Sequence, residues 1–195
     1  MDIDTLAAYD RDARAFADDW QAQPDAADLH ELLTTYFTQG PTADIGSGSG
    51  RETAWLASHG YPATGFEPST GLLAEARRRY PDVTFLEAAL PDLPGAGEGA
   101  FTNVLCETVI MHLPPDIVEA SLARMVGLLA PGGTLFLSWR VTDGGDQRDG
   151  HGRLYAVVDE ETVCRGLDGT ETLLSEEKVN ASSGRVVRRV IARRP

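Results

Sequence analysis

The chain has 195 residues, which is enough for one domain with a substantial hydrophobic core. Its formal net charge of −13 argues against the basic surface that binding to a nucleic-acid backbone requires. Cys106 and Cys164 have no metal or redox spacing, and no apolar run is long enough for a membrane span or a signal peptide. We therefore expect a single metal-free domain of the reducing cytoplasm that binds neither nucleic acid nor membrane.

The first segment, residues 1–40, is predicted to form an N-terminal helical lid of two helices with a break at Gln23-Pro24-Asp25. The first helix has an aromatic and apolar face, whose members recur at spacings of four, three and four residues: Tyr9, Ala13, Phe16 and Trp20. This face either packs on the rest of the domain or covers a bound ligand. Both alternatives stay open for Tyr9, whereas packing is favoured for Phe16 and Trp20.

A glycine turn begins the second segment, residues 41–140, which we expect to bind a cofactor. The stretch Ala43-Asp44-Ile45-Gly46-Ser47-Gly48-Ser49-Gly50 predicts a strand that ends at residues 44–46 and a helix that begins near Arg51. Glycines allow a tight turn and a close approach of ligand to backbone, and the helix N-terminus offers free N–H groups. The spacing Gly-x-Gly-x-Gly, with Asp44 before it, suits a ligand that carries an ammonium or a sulfonium better than a pyrophosphate.

Alternating strands and helices follow the turn. The second strand ends in Glu67, close to the offset of about 20 residues at which an acidic side chain binds ribose hydroxyls in nucleotide folds. Ser69 or Thr70 caps the next helix, and residues 88–100 are expected to form a loop. A helix that begins at Pro114-Pro115-Asp116 has a predicted inner face of Val118, Leu122, Met125 and Leu129. The later strands of this segment are predicted at residues 63–66, 83–87, 101–106 and 134–139.

Residues 141–158 are rich in glycine and aspartate and are expected to form a loop on the substrate side. Residues 159–195 predict a short helix near 159–167 and a hairpin of residues 170–180 and 185–194, joined by Ala181-Ser182-Ser183-Gly184. The last strand contains arginines, which we expect to protect a sheet edge rather than to bind nucleic acid: Arg185, Arg188, Arg189, Arg193 and Arg194. The predicted fold is α/β: a Rossmann-like, doubly wound, seven-stranded, mostly parallel sheet with a C-terminal antiparallel hairpin.

Two motifs carry a resemblance to a known family. The glycine turn with Asp44, followed downstream by Leu128-Leu129-Ala130-Pro131-Gly132-Gly133-Thr134-Leu135-Phe136-Leu137, is similar to class I S-adenosylmethionine-dependent methyltransferases. The similarity runs from about Tyr9 to the end of the chain. The (Asp/Asn)-Pro-Pro-aromatic motif of enzymes that methylate exocyclic base nitrogens is missing after the fourth strand, so the chain resembles the small-molecule enzymes. The resemblance implies in-line transfer of the sulfonium methyl to a small acceptor, which leaves S-adenosylhomocysteine.

The resemblance also assigns cofactor-binding residues. These are Tyr9, Asp44, Gly46, Ser47, Gly48, Glu67, Pro68, Ala88, Ala89, Leu90 and Glu107. Asp44 would bind the ammonium of the cofactor, Glu67 both ribose hydroxyls, and Pro68 the adenine face. Ala89 occupies the position where the family usually has an acidic residue. We therefore expect the backbone around it to hold the adenine, unless Glu87 or Asp92 reaches the ring.

Candidates for chemistry on the acceptor lie further along the chain. Glu107 is expected at the junction of cofactor and substrate, and His112 is a candidate general base, although packing is the favoured interpretation for this histidine. The substrate-side candidates are Arg140, His151, Arg153 and Tyr155. If the arginines face the cavity, the substrate should carry a carboxylate or another hydrogen-bond-accepting group. The alternative is that the loop arginines, Arg148 above all, pair with Asp143, Asp146 and Asp149.

Two other functions stay open on sequence grounds. One is an NAD-dependent oxidoreductase, which the glycine spacing and Asp44 disfavour. The other is a non-catalytic module that binds S-adenosylmethionine, because such a module would keep the same glycine turn and Glu67.

Overall fold

The computed structural model describes residues 1–142, 144–180 and 184–195, so Asp143 and residues 181–183 of the predicted hairpin turn lie outside the described residues. The strands are β1 Thr42–Ile45, β2 Ala63–Glu67, β3 Thr84–Glu87, β4 Phe101–Glu107, β5 Leu129–Arg140, β6 Gln147–Arg148, β7 Leu154–Tyr155, β8 Glu171–Val179 and β9 Val186–Arg193. The α-helices are α1 Ile3–Ala22, α2 Ala27–Tyr36, α3 Arg51–Ser58, α4 Thr70–Arg79, α5 Val118–Leu128 and α6 Glu160–Gly166. Short 3-10 turns occupy Ile110–His112 and Pro115–Ile117.

Seven of these strands form one sheet in the order β3-β2-β1-β4-β5-β9-β8. The pairs among β1 to β5 are parallel, and β9 runs antiparallel to both β5 and β8. This arrangement confirms the predicted Rossmann-like sheet with its antiparallel C-terminal hairpin. Strands β6 and β7 form a separate small hairpin inside the segment that was expected to be a loop.

The fifth strand begins five residues earlier than predicted, at Leu129 instead of Thr134. Leu129 pairs with Phe101, and the register then shifts so that Thr134 pairs with Asn103. The intervening Pro-Gly-Gly sequence lies in β5 where the register shifts. Gly132 has a φ of 79° there, a conformation that favours glycine. Leu129 therefore belongs to the strand and not, as predicted, to the inner face of α5.

Helices cover both faces of the sheet, as the doubly wound prediction requires. On one face, α5 and α6 pack on the central strands through Leu122, Met125 and Val163, all of which are buried. On the other face, α2 and α3 bury Leu33 and Leu56 against the sheet. Burial of apolar surface on both faces is the main stabilising contribution in such a fold.

Helix α1 lies against α4 and not on the sheet. A Cβ atom on Gly71 would lie 2.8 Å from the Cβ of Ala13, so the two helices approach closely at this glycine. The Asp10 carboxylate accepts hydrogen bonds from the Ser69 hydroxyl at 2.7 Å and from the N–H of Gly71 at 3.0 Å. The N-terminal helix is thus fixed to the helix that follows β2, with its aromatic face beside the glycine turn.

The interpretation of the C-terminal arginines as protection for a sheet edge is wrong. They lie on or beside β9, which is internal, and the edge strand is β8. Arg189 is only 1% exposed and forms an ion pair with Asp28 at 2.6 Å. The sequence showed a hairpin but not which of its strands would pair with β5, and that pairing puts the arginines inside the sheet.

In the ranges described above, no helix has the length and apolar character needed to cross a bilayer.

Candidate functional site

A cavity of about 600 Å³ lies over the carboxyl ends of β1, β2, β4 and β5. The chain winds away from β1 in one direction through β2 and β3, and in the other through β4 and β5. Ligands bind at this kind of topological switch point in open α/β sheets. The predicted site residues that line the cavity are Tyr9, Asp44, Gly46, Ser47, Gly48, Glu67, Glu107, His112, Arg140, Arg153 and Tyr155.

Five predicted residues do not line this cavity: Pro68, Ala88, Ala89, Leu90 and His151. Ala88 and Leu90 follow β3 and are buried in the main core. His151 is exposed; its ring packs against Phe16 with centroids 5.0 Å apart, and its Nδ1 lies 3.6 Å from Asp12. His151 therefore lies outside the cavity, although the Phe16 ring that it contacts also contacts Arg153.

The glycine turn has a conformation that requires glycine at its first position. Gly46 has a φ of 72°, and a Cβ atom there would lie 2.4 Å from Cγ2 of Val109. The N–H groups of Gly46 and Ser47 both donate to the carbonyl oxygen of Phe66, at 2.8 and 3.2 Å. The end of β2 thus holds the turn in place, and the turn leaves bare backbone facing the cavity.

Asp44 is a buried carboxylate without a cationic partner among the described residues. It is 3% exposed, and its Oδ2 accepts a hydrogen bond from the Thr53 hydroxyl at 2.6 Å. Burial, only partly offset by this hydrogen bond, raises the pKa of Asp44 to about 7. A cationic group of a ligand would stabilise the ionised form.

Glu67 is equally buried but is held by backbone donors. The N–H of Gly48 donates to Oε2 and the N–H of Ser69 donates to Oε1, each at 2.8 Å. Burial raises the pKa of Glu67 to about 7, against these two hydrogen bonds. Each oxygen keeps a lone pair for a further donor, which is the requirement for binding two neighbouring hydroxyls.

Glu107 ends β4, is half-buried and lines the cavity. Within the described part of the chain its carboxylate has neither a hydrogen bond nor an ion pair. Burial, followed by the repulsion of Glu52 and Asp44, raises the pKa of Glu107 to about 8. The next residue, Thr108, has a φ of 56°, a conformation that is strained for a β-branched side chain, and its N–H donates to the carbonyl of Ser138 at 3.0 Å. No residue pattern in the sequence indicates this strained turn.

His112 and Tyr9 form a buried hydrogen-bonded pair. Nδ1 of His112 lies within hydrogen-bond distance of the carbonyl oxygen of Leu154, which only accepts, so Nδ1 carries the proton. Burial lowers the pKa of His112 to about 4, so the ring is neutral and its Nε2 accepts from the Tyr9 hydroxyl at 3.1 Å. The Tyr9 oxygen also accepts from Arg153 Nη1 at 3.3 Å. Both ring nitrogens of His112 are therefore engaged, although the residue lines the cavity.

The two substrate-side arginines have different surroundings. Arg153 forms an ion pair with Asp149 at 2.7 Å and lies over the ring of Phe16, 4.6 Å from its centroid. Arg140 stacks on Tyr155 at 4.9 Å but has no ion pair in the ranges that the structure covers. Its guanidinium thus remains available to an anionic ligand.

Arg148 lies on the outside of the site, as the alternative interpretation expected, but with a different partner. Its two terminal nitrogens donate to the two oxygens of Asp2 at 2.9 Å each, and not to Asp146 or Asp149. The N–H of Leu154 also donates to the Thr5 hydroxyl at 2.8 Å. The β6–β7 hairpin is thereby attached to α1, and the two segments cover the cavity together.

Several cavity residues were not among the predicted site residues. Trp20, for which packing was the favoured interpretation, lines the cavity and also contacts Gly48, where a Cβ atom would lie 3.1 Å from the indole ring. Asn180, Arg185 and Val187 line it from the C-terminal hairpin. Val187 pairs with Arg140 across β5 and β9, and this register brings the hairpin to the cavity. No local sequence pattern carries that information.

Comparison with known proteins agrees with this geometry. A family model described as a methyltransferase domain matches residues 43–133. A trans-aconitate 2-methyltransferase of Rhodopseudomonas palustris is 33% identical over 111 residues, which are 54% of this chain and 41% of that protein. A demethylmenaquinone methyltransferase of Beutenbergia cavernae is 33% identical over 95 residues, 49% of this chain and 38% of that protein. The matched segment thus spans less than half the length of these relatives.

Solved structures extend the similarity to the whole chain. The 1,6-didemethyltoxoflavin-N1-methyltransferase of Burkholderia thailandensis, with bound 1,6-didemethyltoxoflavin and S-adenosylhomocysteine, has a TM-score of 0.74 at 24% identity, over 97% of this chain and 86% of that one. The cyclase SpnF has a TM-score of 0.70 at 17% identity, over 86% of this chain and 80% of that one. These likenesses concern the fold alone. The family model thus shows a methyltransferase domain at residues 43–133, and the solved structures show that the whole chain has the fold of such enzymes.

Proposed function

We propose that the protein transfers a methyl group from S-adenosylmethionine to a small acceptor that carries an anionic group. The observation that carries the proposal is the pair of opposite charges in one cavity. Among the described residues, the buried carboxylates at one end have no cationic partner and the guanidinium of Arg140 at the other end has no ion pair. The first set suits a cofactor with two cationic centres. The second suits an acceptor with a carboxylate or a similar group.

The residues present fit the cofactor by their chemistry. Asp44 would hold the ammonium, Glu67 the two ribose hydroxyls, and the backbone of the glycine turn the rest of the methionine part. The cofactor, when bound, supplies an electrophilic methyl on a sulfonium. The chain's own contribution is to align the acceptor with that methyl and to exclude water, because in-line displacement depends mainly on geometry.

Two segments would exclude water from the cavity: α1 and residues 141–158. The described part of the second segment includes β6 and β7. The rings of Tyr9 and Phe16 lie 5.3 Å apart on the inner side of α1, and Arg153 lies over both. Arg148 and Asp2 join the two segments on the outside. Opening of this lid is required for exchange of ligands.

A proton from the acceptor would leave through Tyr9. The Tyr9 hydroxyl donates to the neutral ring of His112, so its oxygen presents a lone pair to the cavity. An acceptor O–H or N–H that donates to this oxygen would lose its proton as Tyr9 passes its own to Nε2 of His112. In this relay His112 would act as the general base through Tyr9, the role for which it is a candidate.

The experiment is a methyl-transfer assay with S-adenosylmethionine and two matched panels of small acceptors, one of carboxylic acids and one of their methyl esters. We expect S-adenosylhomocysteine to form with acids and not with esters. Turnover of esters alone would contradict the anionic acceptor, and cofactor binding without turnover of any acceptor would favour a non-catalytic module. A parallel titration with NAD tests the oxidoreductase hypothesis, which the family match does not support. The free thiols of Cys106 and Cys164 support a reducing cytoplasmic location.

A further inference from the structure

The strand order arranges four charged side chains in a row across the cavity. Glu67 ends β2, Asp44 lies in β1, Glu107 ends β4 and Arg140 ends β5, and these strands are consecutive neighbours in the sheet. Neighbouring strands are about 4.8 Å apart. Glu107 therefore stands between the two carboxylates assigned to the cofactor and the guanidinium assigned to the acceptor.

The reacting sulfur of the cofactor must lie at this junction, given the proposed function. Its ribose and its ammonium are held at β2 and β1, and its methyl faces the acceptor at β5. The strand between them is β4, which pairs with both β1 and β5. Glu107 is the ionisable side chain that β4 contributes to the cavity.

Glu107 also differs from the other carboxylates in having no partner. Asp44 has the Thr53 hydroxyl and Glu67 has two backbone N–H groups, whereas the carboxylate of Glu107 has no hydrogen bond or ion pair anywhere in residues 1–142, 144–180 or 184–195. The charged groups that act on it are Asp44 from β1, Glu52 and Arg51 from α3, and Arg189 from β9. Arg51 is engaged by Glu52 and the Trp20 carbonyl, and Arg189 by Asp28, so neither neutralises it.

We propose that Glu107 distinguishes the charged cofactor from its neutral-sulfur product. The two ligands share the adenosine and the amino-acid group, so Asp44 and Glu67 contact both in the same way. They differ in the methyl group and in the sulfonium charge. A carboxylate beside the sulfur attracts the sulfonium and loses that attraction once the sulfur is a neutral thioether. Glu107 thus favours cofactor binding before transfer and product release after it.

The test needs no acceptor and uses calorimetric titration of S-adenosylmethionine and S-adenosylhomocysteine at pH 8.5, about half a unit above the pKa of Glu107. Glu107→Gln, which is isosteric, should weaken binding of S-adenosylmethionine about 10-fold and change binding of S-adenosylhomocysteine less than about 3-fold. Glu107→Asp keeps the charge and should keep most of the preference. The matched controls are Glu67→Gln and Asp44→Asn, which should weaken both ligands by the same factor.

The possible results of these titrations distinguish failure of this inference from failure of the proposed function on which it rests. Equal losses for both ligands in Glu107→Gln would overturn charge discrimination while leaving the cofactor site intact. Failure of the unaltered protein to bind either ligand would instead overturn the proposed function. Thermal denaturation of each variant checks that it folds. Should Glu107→Gln be unstable, the ratio of the two affinities in the unaltered protein is measured from pH 6 to 9; it should rise with ionisation of Glu107, and a constant ratio would overturn the inference.

Discussion

The two halves of the cavity are built from very different lengths of chain. The half at β1 and β2 comes from residues 44–69, and its carboxylates, Asp44 and Glu67, are already fixed by hydrogen bonds. The half at β4 and β5 brings together α1, the turn at His112, the β6–β7 hairpin and β9. Its charged groups nearest the sheet, Glu107 and Arg140, have no ion pair among the described residues.

This difference fits the two tasks that we propose. A cofactor of constant structure can be bound by a preorganised local motif, whose polar groups are held in place before the ligand binds. An acceptor would be bound by charged side chains that have no ion pair among the described residues, such as Arg140. The segments that cover it, α1 and the β6–β7 hairpin, must move to admit it. Mutations in the two halves should therefore separate cofactor affinity from turnover.

The largest effect is expected at Glu67. Glu67→Ala should remove a two-point, charge-assisted contact and weaken binding of S-adenosylmethionine by about 2–3 kcal/mol, which is on the order of 100-fold. Calorimetry measures this loss. Glu87→Ala is the matched control, because Glu87 pairs with Glu67 in register on β3 but is exposed and lies outside the cavity. Equal affinities for the Glu67 variant and the unaltered protein would mean that the cofactor site is misplaced.

In the acceptor half, Arg140→Ala should lower kcat/KM for an acidic acceptor about 30-fold, because a guanidinium–carboxylate contact is lost. Cofactor affinity should stay within about 2-fold of normal. Arg148→Ala is the control, since Arg148 pairs with Asp2 on the outside of the lid. If both variants lose turnover alike, the effect belongs to the lid and not to an acceptor contact.

A change of pH should act mainly on three carboxyl groups of the cavity: Asp44 and Glu67 in the cofactor half, and Glu107 at the end of β4. The pKa values of Asp44 and Glu67 are raised to about 7 and that of Glu107 to about 8, whereas carboxyl groups of an unfolded chain titrate near 4. Between roughly pH 4 and 8 the folded protein without ligand holds protons that the unfolded chain has lost. Its free energy of unfolding should therefore fall as pH rises through this window.

The affinity for S-adenosylmethionine should change in the opposite sense, because a cation binds the ionised carboxylates. We expect a gain of about 10-fold from pH 6 to pH 8, measured by calorimetry alongside thermal denaturation at each pH. In the double variant Glu67→Gln/Glu107→Gln, both the affinity for S-adenosylmethionine and the thermal stability should depend less on pH. A stability that rises with pH in the absence of ligand would contradict the assigned burial of these groups.

The smallest effect is expected at Asp92. This residue is exposed and does not line the cavity. Ala88, Ala89 and Leu90, whose backbone was predicted to hold the adenine, do not line it either. Asp92→Ala should change cofactor affinity by less than about 2-fold. A loss as large as that of Glu67→Ala would show that Asp92 supplies the acidic contact that Ala89 lacks.

The sequence by itself determined the fold class and the cofactor half of the cavity. The glycine turn, the strand that ends in Glu67 and the helix capped by Ser69 all follow from patterns within about 25 residues, where backbone preference and hydrogen bonding are local. For the same reason, the boundaries of most helices and strands were predicted to within a residue or two. The order of the motifs then indicated a resemblance to methyltransferases, and a methyltransferase-domain model matches residues 43–133.

Only the tertiary structure decided which distant residues meet. The position of the C-terminal arginines depended on which hairpin strand pairs with β5, and that pairing buries Arg189 and brings Val187 to the cavity. The same holds for His112, whose ring is engaged by Leu154 and Tyr9, 42 and 103 residues away, and for His151, which lies on the outer surface. These outcomes are set by packing between elements far apart in the chain, and a local pattern of residue types carries no information about the register of such contacts.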